Sequence, residues 1–156
     1  MSELFGKLEL RVPPPLLLLV FAALAWLMSQ ALPVAAIHPI SLAAATVLGA
    51  AGLALNLLPK LWFRRAGTTV NPLRPEAASA LVTSGVYRIS RNPMYLGHVV
   101  LLLAWASSLG NGFGLVLVPV HIAYLTRFQV MPEERILQTR FPERYAEYMR
   151  STRRWV

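Results

Sequence analysis

A chain of 156 residues that is 56% hydrophobic and only 14% charged is too apolar for an ordinary soluble domain of this length. Its formal net charge of +8 invites a nucleic-acid reading. The cations, however, lie beside apolar stretches and alternate with glutamates near the C-terminus, without the aromatic interleaving of an RNA-binding surface, so attraction to anionic lipid headgroups is the simpler reading and no nucleic-acid partner is expected. Cysteine is absent, which excludes disulfides, thiolate metal sites and a cysteine nucleophile.

No charged residue occurs between Arg11 and Lys60, nor between Arg91 and Arg127, so all 15 Lys and Arg and all 7 acidic residues fall in an N-terminal block, a middle loop and a C-terminal tail. Each uncharged interval has room for two spans of roughly 20 residues. The expected fold is all-α and integral to the membrane, with about four transmembrane helices near Pro14 to Leu32, Ile40 to Leu58, Met94 to Leu109 and Phe113 to Phe128. The last two are slightly short, and snorkelling of Arg91 and Arg127 accommodates that. Both short connections, Pro33 to Pro39 and Gly110 to Gly112, are uncharged. The positive-inside rule therefore places both termini and the middle loop in the cytoplasm. Lys7 and Arg11 followed by an apolar run and Ser29-Gln30-Ala31 imitate a signal peptide, but an uncleaved first span keeps the charge topology consistent.

The first two spans read as structural. Gly49 and Gly52, among several alanines, permit close helix approach, and Asn56 suits an interhelical hydrogen bond. From Pro59 to Arg91 the sequence predicts a loop that opens on an interfacial anchor, Lys60 to Arg65, and continues through turn formers such as Asn71-Pro72 and Arg74-Pro75. The tail is expected to begin at Pro132 as a C-terminal amphipathic helix, restarting at Pro142, with Leu137, Phe141, Tyr145 and Tyr148 or Met149 on its apolar face. Residues 1–156 thus form one membrane domain, with 1–59 structural and 60–156 carrying the site.

The chemistry gathers where the last hairpin opens. Residues 85–97 read GVYRISRNPMYLG, and Glu133-Glu134 stand just past the hairpin's far end. Arg88 and Arg91 suit a carboxylate or phosphate, the glutamates an ammonium or sulfonium, and Tyr87 and Tyr95 a planar ring or a cation. A zwitterionic ligand with an aromatic base satisfies all three. Each group also has a plain alternative: positive-inside arginines, an aromatic belt, helix-start carboxylates. His98, one turn after Tyr95, divides between core and site, and His121 reads as a hydrogen-bonded core residue. Walker, Rossmann, HExxH and nucleophile-elbow patterns are all absent, and the three histidines lack metal-ligand spacing.

Ser84 to Arg88 with Arg91-Asn92-Pro93-Met94-Tyr95-Leu96-Gly97, then Pro132-Glu133-Glu134, Leu137, Phe141, Tyr145, Tyr148 and Arg153-Arg154-Trp155, resemble the isoprenylcysteine carboxyl methyltransferase and phospholipid methyltransferase superfamily, in its small bacterial form. The resemblance covers roughly residues 64 to 156. It implies a membrane methyltransferase, in a bacterial inner membrane, that uses S-adenosylmethionine in a cytoplasm-facing pocket. Arg91 and Glu134 are the implied catalytic pair; Gly85, Tyr87, Arg88, Arg91, Asn92, Tyr95, Gly97, His98, Glu133 and Glu134 are the implied cofactor-binding set, without a metal. Asn92 stands where many relatives have His, which removes a general base at that position; Val86 and Pro142 replace a frequent Pro and Gly. The acceptor is lipophilic but unspecified, since a prenylated cysteine, a phospholipid amine and a small thiol all fit. The alternatives are a membrane reductase with a nicotinamide cofactor and a non-catalytic membrane scaffold.

Overall fold

The computed structural model describes residues 8–31, 40–68 and 73–156, all helical or irregular, with no strand among them. The expected first connection, Pro33 to Pro39, lies wholly outside these residues, as does the Asn71-Pro72 turn. Among the described residues six α-helices follow one another: α1 Pro14–Ala31, α2 Leu42–Arg65, α3 Pro93–Ser108, α4 Gly112–Leu125, α5 Met131–Arg140 and α6 Pro142–Ser151. Short 3-10 turns at Pro75–Ala77 and Gly85–Arg88 punctuate the middle loop, and a π-helical turn, Thr126–Val130, joins α4 to α5.

Among the described residues three helices are long and apolar enough to cross a membrane: Pro14–Ala31, Leu42–Arg65 and the continuous run Gly112–Arg140. The α3 helix has 16 residues, about 24 Å at 1.5 Å per residue and so shorter than a hydrocarbon core of about 30 Å. Leucines 16, 19, 24 and 27 of α1 and Leu53, Leu57 and Leu58 of α2 are exposed. An apolar surface of that extent suits lipid rather than water.

Two boundaries differ from expectation. The second span does not stop before Pro59 but continues to Arg65. A proline removes a single intrahelical donor, while Trp62 and Phe63 beyond it pack on the apolar cluster of Val82, Tyr87, Tyr145 and Tyr148. Likewise Pro132 does not start a separate helix, because α5 runs on from α4 through the π turn. The chain breaks only at Phe141, whose φ of −133° and ψ of 59° lie outside the helical region, before α6 begins at Pro142. The Gly110 turn, with φ of 64°, and Asn111 Oδ1, which accepts from Phe113 N at 2.9 Å, form the α3–α4 connection where the sequence placed it.

Helices α2 and α3 cross glycine to glycine. A Cβ on Gly97 would stand 2.7 Å from Gly52 O and 2.8 Å from Asn56 N, whereas one on Gly49 would meet nothing within 4 Å. Asn56 Nδ2 donates to Met94 O across the same crossing at 3.4 Å, the interhelical bond expected of it. Trp105 Nε1 donates to Ala22 O at 3.0 Å and ties α3 to α1. The core between these helices holds Leu17, Phe21, Tyr95, Val99, Leu102, Val118, Leu125 and Val130.

Candidate functional site

The start of α3 and the start of α5 meet at one end of the bundle. There a cleft, partly open to solvent and with an enclosed volume of about 60 Å³, is lined by the loop, α3, α5 and α6. Tyr87, Arg91, Asn92, Tyr95, Glu133 and Glu134 all line it, together with apolar Phe63, Ala78, Ala80, Leu81, Val82, Met94 and Leu137 and the rings of Tyr145 and Tyr148.

The two glutamates differ in kind. Glu134 accepts from Arg91 Nη2 at 2.7 Å and from Arg154 Nε and Nη2 at 3.1 and 2.7 Å. Its carboxylate is thus paired with two guanidinium groups at once. Among the described residues Glu133 has one hydrogen-bond donor to its carboxylate, the Tyr95 hydroxyl, which donates to Oε2 at 3.0 Å. Part of the residue reaches the surface, yet its carboxyl group is enclosed.

Arg91 is engaged before any ligand arrives. Its Nη1 donates to the carbonyls of Thr152 at 2.9 Å and Met149 at 3.3 Å, and its backbone N–H donates to Arg153 O at 3.0 Å. Asn92 Nδ2 and Ser90 Oγ both donate to Arg154 O, at 2.9 and 3.3 Å. Tyr148 Oη donates to Tyr87 O at 2.7 Å. The tail is therefore bolted to the mouth of α3. Two buried polar atoms at the cavity have no partner: Tyr87 Oη and Arg91 Nε. Burial raises the pKa of Tyr87, and of Tyr145 and Tyr148, so all three stay neutral phenols.

Four residues of the expected set do not line the cleft. Gly85 has φ of +63°, a left-handed conformation that favours glycine, and a Cβ there would fall 2.1 Å from the Trp62 ring. Gly97 serves the α2–α3 crossing. Arg88 lines a separate open groove with Arg144, Glu147 and Ser151. His98 is buried, stacked edgewise on Tyr95 with ring centroids 6.5 Å apart. His121 is a core residue as expected, but neither ring nitrogen has a hydrogen-bond partner, and its ring packs edgewise on Phe21 at 4.8 Å. Sequence reasoning did not assign Arg154 to the site, although the terminal Arg153-Arg154-Trp155 run carried the signal. No group of three or more potential metal ligands occurs among the described residues.

An uncharacterized protein of Haemophilus influenzae (strain ATCC 51907 / DSM 11121 / KW20 / Rd) is 36% identical over 63 residues, which is 40% of this chain and the whole of that relative. No solved structure matches the chain. Residues 40–144 match the model of the phospholipid methyltransferase family, a stretch that holds the α2–α3 crossing, the mouth of the hairpin and both glutamates, and the chain belongs to that family.

Proposed function

We propose that the protein is an S-adenosylmethionine-dependent methyltransferase that modifies a lipophilic acceptor, a carboxylate, thiol or lipid amine, at the cytoplasmic edge of a bacterial inner membrane. The observation that carries this reading is Glu133: an enclosed carboxylate with a single hydrogen-bond donor, facing a cleft of aromatic and apolar walls. A buried carboxylate without a counter-charge is unfavourable, and a cationic ligand relieves it.

The remaining lining groups fit the rest of such a cofactor. Arg91 Nε and Tyr87 Oη are unpartnered donors suited to a carboxylate or ribose oxygen. The faces of Tyr145, Tyr148 and Phe63 suit a planar base. When bound, the cofactor supplies an electrophilic methyl group on a sulfonium. The chain's own contribution is to hold the cation at Glu133, to keep its phenols neutral and to exclude water, which favours a displacement in which charge disappears. Glu134 is committed to Arg91 and Arg154, so its part is to close the tail over the cleft. A carboxylate or thiolate acceptor needs no base. For an amine, Glu133 is the lining carboxylate outside that ion-pair network and so the group placed to take the proton.

We further infer four spans. The three long helices are joined by α3, with Arg91 and Arg127 snorkelling at the hairpin's ends and every Lys and Arg on the cytoplasmic side. Calorimetry on the detergent-solubilised protein with S-adenosylmethionine, its demethylated product and NADPH tests the cofactor. Binding of the first two supports the reading; binding of NADPH alone, or of none, overturns it.

A further inference from the structure

The α4–α5 helix carries two irregularities immediately before Glu133: the π turn at Thr126–Val130 and Pro132, which has no N–H to offer the carbonyl of Phe128 four residues back. The segment from Glu9 to Val12 lies across both. Leu10 N donates to Phe128 O at 2.9 Å, and the fully buried Gln129 donates from Nε2 to Val12 O at 2.7 Å. The carboxylate of Glu9 pairs with Arg127 at 2.5 Å and also with Arg135, so it clasps the helix on both sides of the proline. Leu10 adopts φ of 55°, a left-handed conformation that a leucine holds only where its surroundings impose it. Residues 9–12 lie outside the matched stretch 40–144, so the family assignment does not account for this strap.

A π turn adds one residue to a helical turn, and one residue is about 100° of rotation. Everything after it is therefore displaced around the helix axis, including the side chain that meets Tyr95. We propose that the Glu9–Val12 strap is a positioning device, with Glu9 as its key residue, that fixes the helical phase in which Glu133 is presented to Tyr95 and the cleft. Its meaning for catalysis rests on the function proposed above; its geometry does not.

The test reads Glu133 without any cofactor. In the full-length protein in detergent, infrared difference spectroscopy follows the protonated carboxyl band of Glu133, assigned by its loss in Glu133→Gln, as pH is varied. The groups facing Glu133, namely Tyr95, Tyr87, Tyr145 and Glu134, are unchanged by substitution at position 9. In Glu9→Gln the carboxyl should turn from its enclosed position towards water, and the midpoint of its band should shift by the equivalent of at least about a threefold change in proton affinity. Arg135→Gln, which leaves the Glu9–Arg127 pair, should give a smaller shift in the same direction and remains informative if Glu9→Gln does not fold. Midpoints equal to wild type in both variants overturn the proposal. A wild-type protein that binds no S-adenosylmethionine would overturn the proposed function and leave this comparison readable.

Discussion

The Tyr95 hydroxyl donates to Glu133 Oε2 across 3.0 Å, joining the first turn of α3 to the first turn of α5. The bond closes the open end of the α3–α4 hairpin. It also leaves the second oxygen of an enclosed carboxylate available to the cleft, with the Tyr87 hydroxyl unpartnered on the same wall.

Glu133→Gln removes the charge that a sulfonium or ammonium would meet. S-adenosylmethionine affinity should fall roughly ten- to a hundredfold, the equivalent of about 1.5–3 kcal/mol for a charge-assisted contact. Glu143→Gln and Glu147→Gln, at exposed positions on α6, should leave affinity within about twofold. Equal losses at all three positions, measured by calorimetry, would reject Glu133 as the cation's partner.

Arg91→Lys tests the bolt rather than the ligand. Lysine keeps the positive charge but cannot serve Glu134, Met149 O and Thr152 O from one planar fork. Its expected effect is loosening of residues 149–154, read as faster proteolysis or amide exchange of the tail. Glu134→Gln should cost about 3 kcal/mol, the low end for breaking a buried pair, because Arg154 is 39% exposed and partly solvated. An unchanged tail in both variants would show that the ion pairs do not hold it.

At the helix crossing, Gly97→Ala places a methyl 2.7 Å from Gly52 O, where backbone rather than a flexible side chain must move. A loss of about 1–3 kcal/mol is expected from overpacking, measured as a fall in thermal midpoint. Gly49→Ala meets nothing within 4 Å and should be neutral or slightly stabilising. Equal midpoints for the two variants would mean that the helices do not meet at Gly97.

Orientation is tested by labelling single cysteines at Gly112 and Ser151. Periplasmic reagent should reach Gly112→Cys and not Ser151→Cys, because the proposed four-span topology puts every Lys and Arg on the side of Ser151. The reverse pattern would invert the proposed topology.

Much of this was legible because periodicity survives folding. Leu137, Phe141, Tyr145 and Tyr148 recur at helical spacing, and all four join the cluster beneath the cleft. The uncharged intervals likewise brought residues 85–97 to the glutamate pair. What stayed hidden depends on the backbone. Carbonyl acceptors look the same in every residue, so nothing marked Met149, Thr152 and Arg154 as the groups that would occupy Arg91 and Asn92. The π turn was equally silent, since one additional residue in a helical turn changes phase without changing composition, and Pro132 therefore read as a start rather than as a point within a longer helix.

Arg91 and Glu134 stand on opposite flanks of the α3–α4 hairpin, 43 positions apart. A chain synthesised from its N-terminus makes the arginine well before its carboxylate exists. In the proposed four-span topology the two meet only once the intervening hairpin has crossed the bilayer and returned, because a hairpin stranded halfway would leave Glu134 on the far side of the lipid. On that topology the ion pair acts as an inspection of insertion, in which only a correctly threaded chain can lock its tail through Arg91 and Glu134.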